Sequence, residues 1–289
     1  MNRRLFVGTL MGGIMGSLLY KTLRGDSLGG PVTRMPTLFV GHGSPMNAVE
    51  KNSYTDFLSG FSVELPKPRA ILCVSAHWET LGTKVLKANP PKTIYDFYGF
   101  PTELYQIKYP AAGAPEVADR IVDLTRSHQV RPDSEWGLDH GTWTVLKYLY
   151  PQADIPVLQL SLNRNMTLAQ HLDLARELKP LRDEGVLILG SGNITHNLRR
   201  VDWRGDGAPM DWAVEFDEMI KQALTERNNT LLLGQESKLH PLWSMAHPSL
   251  EHYLPLLYAY GASDEKEQAQ FVYEGIQLGS LSMRSVLFS

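Results

Sequence analysis

Four short apolar runs do most to constrain this chain. They are residues 36–41 (PTLFVG), 70–76 (AILCVSA), 155–160 (IPVLQL) and 185–190 (GVLILG). Continuous apolar runs of this length, bounded by turn residues, suit strands buried on both faces, as in a parallel sheet. Between them lie stretches with helical apolar spacing. Residues 115–128 carry Val117, Ile121, Val122 and Leu124 at that spacing, and residues 168–181 carry Leu172, Leu174, Leu178 and Leu181. Further helices are expected over 46–61, 141–150, 210–225 and 251–259, and closing strands over 271–274 and 280–287. The alternation predicts an α/β fold: a single domain with a central, mostly parallel sheet flanked by helices.

Composition narrows the partners. The net charge is -3, with no basic surplus, so nucleic acid is not expected as a ligand. The single cysteine, Cys73, sits inside an apolar run. It can form no internal disulfide, and a thiolate-based zinc site is excluded. Any metal must be held by histidines and carboxylates.

Residues 1–33 read as a separate leader, ahead of a domain over 34–289. Arg3 and Arg4 precede an uncharged stretch from Leu5 to Tyr20. That stretch is shorter than the ~20 apolar residues of a spanning helix. A basic start followed by a modest apolar run reads as an export or anchoring signal, and the Arg-Arg-x-Phe order resembles a twin-arginine signal. The expectation is a periplasmic or membrane-associated protein that contacts the membrane only through this leader. A cytoplasmic location is the alternative.

Five histidines occupy turn-rich contexts: His42 in GHGSPM, His77 in SAHWE, His140 in LDHGTW, His196 in GSGNITHN and His252 in HPSLEHY. Neutral imidazole is the commonest metal ligand and suits proton transfer near neutrality. His42, His77 and His196 each fall at the carboxyl end of an expected strand, where open α/β sheets bind ligands. Asn193 and Asn197 flank His196 and could fix its tautomer. His247 competes with His252 as a ligand, while His128, His171 and His240 read as surface residues. Residues 88–113, rich in Pro, Gly and Tyr, form a long loop of the kind that is often functional. No P-loop, GxGxxG, HExxH or GxSxG pattern is present. Redox chemistry would therefore use a metal rather than a dinucleotide.

GHGSPM, SAHW, GLDHGTW, SGNITHNL, EHYLPLLYAYGA and GSLSMRSV follow one another from about Met35 to the C-terminus. Together they resemble the class III (LigB-type) extradiol ring-cleavage dioxygenases, and within them the 4,5-DOPA dioxygenase-like subgroup. The resemblance implies His42, His77 and His252 as metal ligands, His196 as catalytic acid/base close to the metal, and His140 as a substrate-side catalytic histidine. It implies Fe(II) for activity, with Zn(II) able to occupy the same site. It implies a small L-DOPA-like catechol and dioxygen as substrates, and a muconic semialdehyde as product of 4,5 or 2,3 cleavage. Trp78 and Asn193 are expected to bind substrate, and the Tyr95–Tyr105 loop to wall its ring. An amino-acid substrate would need a carboxylate partner, for which Arg199 and Arg200 are candidates. The alternative is a zinc-dependent hydrolase or amidase using the same three histidines, with His196 as base.

Overall fold

The computed structural model describes residues 33–204, 208–234 and 241–289. Residues 1–32, which hold nearly all of the leader, and His240 lie outside the described residues. The described strands are β1 (Thr37–Gly41), β2 (Ala70–Thr80), β3 (Lys84–Leu86), β4 (Lys92–Thr93), β5 (Arg131–Asp133), β6 (Gly137–Leu138), β7 (Val157–Asn163), β8 (Val186–Gly192), β9 (Ala269–Tyr273), β10 (Ile276–Gln277), β11 (Leu281–Ser282) and β12 (Ser285–Phe288). Eight of them form one sheet in the order β5-β3-β7-β2-β8-β1-β12-β9. The central strands β7, β2, β8 and β1 run parallel. β12 and β9 close one edge antiparallel, and β3 meets β7 antiparallel on the other side. The expected mostly parallel α/β sheet is what the chain forms. Every residue of β1 and β8 is buried, as continuous apolar runs require when helices cover both faces.

Two departures from the expected boundaries position the site. β2 runs on to Thr80, so His77 lies inside the strand rather than after it. The pairing of β2 with β7 jumps from Val74↔Leu160 to Glu79↔Leu162, a bulge that spans Ser75 to Trp78. Bulges bend a strand and re-aim its side chains. The helix expected over 251–259 begins later, at Leu254, and runs to Gly261. Pro255 sets that start, because proline fits the first turn of a helix and disrupts its interior. His252 is thereby left in the turn ahead of the helix.

Other differences have similar local causes. The stretch expected as one helix over 46–61 splits into a 3₁₀ turn, Pro45–Ala48, and a helix, Ser53–Phe61. Asn52 starts the second piece, its side chain accepting from the Tyr54 and Thr55 amides while Thr55 bonds back to the Asn52 amide. Residues 88–113 contain β4, paired with β6, and a 3₁₀ turn, Thr102–Gln106. Strands of two or three residues are too short to show a period in sequence. His171, expected at the surface, is fully buried on the inner face of the helix Leu168–Glu177. Its Nδ1 pairs with the Tyr258 hydroxyl at 2.9 Å. His128, also expected at the surface, is half-buried against Glu177. No helix of the described residues is long and apolar enough to cross a membrane.

Candidate metal centre

β1, β2 and β8 end at one rim of the sheet. His42 follows the last residue of β1, and its amide donates to the carbonyl of Gly192 at the end of β8 at 2.9 Å. Gly43 turns the chain away with φ of 65°, a left-handed conformation that glycine adopts without a Cβ penalty. His77 projects from the β2 bulge. That bulge is pinned by the Ser75 hydroxyl, which donates to the buried Asp139 at 2.7 Å. Asp139 in turn caps the helix His140–Leu149. The His252 carbonyl accepts from the amide of Asn193 at 2.8 Å, which seats the third histidine directly on the end of β8.

The rings of His42, His77 and His252 form a near-equilateral triangle, with centroid separations of 5.0, 5.3 and 5.0 Å. Their ligand nitrogens all lie within 4.8 Å of one another. Nε2 of His42 and Nε2 of His77 stand 3.1 Å apart. Two imidazoles bound to one metal at about 2.0–2.1 Å have nitrogens roughly 2.8–3.4 Å apart, from octahedral to tetrahedral geometry. The opposite nitrogen of each ring faces an acceptor. His42 Nδ1 meets Ser191 Oγ at 2.9 Å, and the Ser191 proton goes to the Gly141 carbonyl. His252 Nδ1 meets Glu251 at 3.0 Å, and His77 Nδ1 lies 3.4 Å from Asp96. An acceptor that holds Nδ1–H leaves Nε2 with a free lone pair, the arrangement that outer partners impose on metal-binding histidines. The residues fit a divalent metal ion.

Burial, and secondarily the neighbouring imidazoles, push His42 and His252 well below the ordinary imidazole pKa. His77 is pushed the same way by burial and His140, with Asp96 opposing. Neutral rings are the form that binds a metal.

Two further histidines face the triangle. His140 opens the helix His140–Leu149, with its ring centroid 3.9 Å from that of His77. Asp96 receives both its Nδ1 and its backbone amide at 2.8 Å. Burial opposes ionisation of Asp96, but the hydrogen bond to His140 and the attraction of both histidines outweigh it and bring its pKa down to about 2. His196 lies parallel to His252, with centroids 3.4 Å apart and planes 6° apart. Burial lowers its pKa to about 4, against the opposing pull of Glu251. All five histidines line a cavity of about 180 Å³ whose other walls include Pro45, Phe97, Phe100, Leu198 and Trp203.

Several expected site residues fall elsewhere. Trp78 follows His77 within the β2 bulge, and the two side chains part company there. Trp78 is buried and stacks on Trp136 at 5.6 Å and 4°, and does not line the cavity. Asn193 is a brace rather than a cavity wall: it accepts from the Gly43 amide and donates to the Ser282 carbonyl. Asn197 donates to the Met245 carbonyl, so neither amide bonds the His196 ring. His247 bonds the Ile194 carbonyl at 2.7 Å and stays outside the triangle. Tyr95 donates to the Ile107 carbonyl, and from its loop Phe97 and Phe100 reach the cavity instead. Arg199 and Arg200 line a different surface cavity with Pro241 and Ser244. Asp96, Glu251 and Ser191 escaped the sequence reading. Only Glu251 carried a signal, as the immediate neighbour of a candidate ligand.

Comparison with known proteins agrees with this geometry. Residues 36–283 match the family described as the catalytic LigB subunit of aromatic ring-opening dioxygenase. A 4,5-DOPA dioxygenase extradiol from Escherichia coli K12 is 47% identical over 88% of this chain and 94% of its own length. One from Beta vulgaris is 42% identical over 88% of this chain and 96% of its own length. The crystal structure of an uncharacterized Escherichia coli K12 protein superposes with a TM-score of 0.77 at 44% identity, covering 89% of this chain and all of that one. Fold, rim and histidine constellation thus converge with sequence likeness along the whole domain, and the chain belongs to the LigB family of metal-dependent extradiol aromatic ring-opening dioxygenases.

Proposed function

We propose that this protein cleaves the ring of a small, DOPA-like catechol with dioxygen, using Fe(II) held by His42, His77 and His252. The observation that carries the reading is the convergence of three anchored imidazoles with two further histidines at the base of an apolar cavity. Bound there, ferrous iron would acidify the catechol and couple it electronically to dioxygen. Zinc would fit the same nitrogens but lacks redox chemistry. The chain's own residues supply the rest. Phe97 and Phe100 pack against the ring and exclude water. His196, a neutral imidazole in the cavity wall, accepts a catechol hydroxyl proton and later returns it. Asp96 keeps the hydrogen of His140 on Nδ1, so His140 Nε2 offers an acceptor toward the second hydroxyl. Residues 1–33, with their paired arginines and short apolar run, are proposed to direct the protein to the cell envelope.

Oxygen uptake tests the reading. The full chain, stripped and reloaded anaerobically with Fe(II) or Zn(II), is mixed with L-DOPA and simpler catechols. Uptake and a yellow semialdehyde are expected with iron alone, and loss of both in His196→Ala. Absence of uptake with every catechol, at full iron occupancy, would overturn it.

A further inference from the structure

The histidine-lined cavity does not stand alone. Ser44, Phe100, Trp203 and Leu278 line both it and a second cavity of about 530 Å³. The two differ in chemistry. Above its histidines the first is walled mostly by apolar side chains, as an aromatic ring requires. The second carries two opposite charges, Glu50 and Arg204, over a polar base of Asn47 and Gln277. Trp203 stands at the junction and is 65% exposed, which is unusual for so large an apolar surface.

The second cavity is tied to the first by specific bonds. The amides of Asn47 and Gln277 pair reciprocally at 3.0 and 3.2 Å, and Asn47 also donates to the His42 carbonyl at 3.2 Å. The turn that carries Arg204 is fixed by the Asp202 amide, which donates to the Leu278 carbonyl at 2.9 Å. Arg204 gives Nε and Nη2 to Asp202, and its Nη1 makes no hydrogen bond among the described residues. Glu50 has no side-chain hydrogen bond or ion pair among the described residues. A carboxylate and a guanidinium set beside an aromatic-binding chamber match one kind of substituent, a zwitterion.

Resting on the reading of this chain as a catechol dioxygenase, we infer that the second cavity is the subsite for the ring substituent. Arg204 receives the carboxylate and Glu50 the ammonium of an amino-acid side chain, while Trp203 and Phe100 separate substituent from ring. Arg204 and Glu50 are specificity residues, not catalytic ones. They act on KM and leave the reacting atoms alone.

The test compares substrates that carry both charges, one, or neither: L-DOPA, dopamine, 3-(3,4-dihydroxyphenyl)propionate and 4-methylcatechol, on the iron-loaded full chain. Arg204→Ala is expected to raise KM about tenfold for the two carboxylates and to leave dopamine and 4-methylcatechol within about twofold. Glu50→Gln is expected to raise KM for L-DOPA and dopamine only. Neither variant should change kcat, and unchanged turnover of 4-methylcatechol shows that both are folded and loaded. Substrate-independent changes, or none, in both variants overturn the subsite while the dioxygenase reading stands. If the wild-type chain turns over no catechol, both readings fall together.

Discussion

Asp96 accepts from Nδ1 of His140 at 2.8 Å and stands 3.4 Å from Nδ1 of His77, so one carboxylate orients a proposed ligand and a proposed substrate-side histidine together. An ionised carboxylate can only accept, which fixes the hydrogen of His140 on Nδ1 and, by charge alone, favours the same placement in His77. Asp96→Asn replaces part of that acceptor with a donor and removes the charge. Outer partners of this kind are typically worth about 10–100-fold in activity or metal affinity. The expected result is a loss of that size in oxygen uptake, with the circular dichroism spectrum unchanged. Wild-type uptake and metal affinity in the variant would remove Asp96 from the site's machinery.

Gly192 ends β8 directly against the third histidine. A Cβ at this position would overlap the carbonyl of His252 and press on Pro255. Backbone cannot move aside as a flexible side chain can, so Gly192→Ala must shift the His252 turn. Overpacking of this sort costs about 1–3 kcal/mol. The variant is expected to melt earlier and to retain less metal per chain when dialysed against a weak chelator. Full retention of metal would show that the turn absorbs the methyl group without moving the ring.

Much of this architecture was legible because burial on both faces leaves a plain mark in sequence. The runs that became β1, β2, β7 and β8 are nearly continuous in apolar residues, and the histidines near their ends follow from the rule for open α/β sheets. Asp96 could not be read the same way. It lies 44 residues before His140, in a segment of no clear period, and meets it only through tertiary packing. Trp78 adjoins His77 in sequence, but the β2 bulge parts the two side chains and Trp78 stacks on Trp136, a contact that only tertiary packing creates. His171 shares the inward face of its helix with Leu174 and Ala175, so its helical spacing, rather than its polarity, marks it as buried, and the Tyr258 hydroxyl gives the buried ring a partner.

The position of Trp78 gives a prediction that separates packing from binding. Its ring stacks on Trp136 in the core rather than over the histidines. Trp78→Phe keeps an aromatic partner and is expected to leave the catechol KM unchanged. Trp78→Ala opens a cavity and is expected to cost about 3–5 kcal/mol in denaturant unfolding. A KM raised severalfold in the Phe variant, with stability intact, would instead place this ring in substrate binding.

His171 makes a last prediction, on acid stability. Burial lowers its pKa to about 4, with His128 adding to the effect and the Asn163 backbone opposing it. Its Nδ1 pairs with the Tyr258 hydroxyl, and its Nε2 has no hydrogen-bond partner among the described residues. The ring is therefore neutral in the folded chain. In the unfolded chain it titrates near the ordinary value of about 6.5. Between these values the unfolded state binds a proton that the folded state refuses, so acid favours unfolding. The contribution is complete above about pH 6.5 and is lost as the pH falls toward 4. His171→Gln can still pair with Tyr258 but does not titrate. Its unfolding free energy, from urea curves at stepped pH, should fall less steeply than wild type by roughly 1 kcal/mol per pH unit in this window. Paired carboxylates such as Glu267 and Glu274, held below their ordinary values, add to acid loss in both proteins at lower pH and cancel in the comparison. Parallel curves for the two proteins would mean that His171 is charged in the folded chain, with a partner found for Nε2.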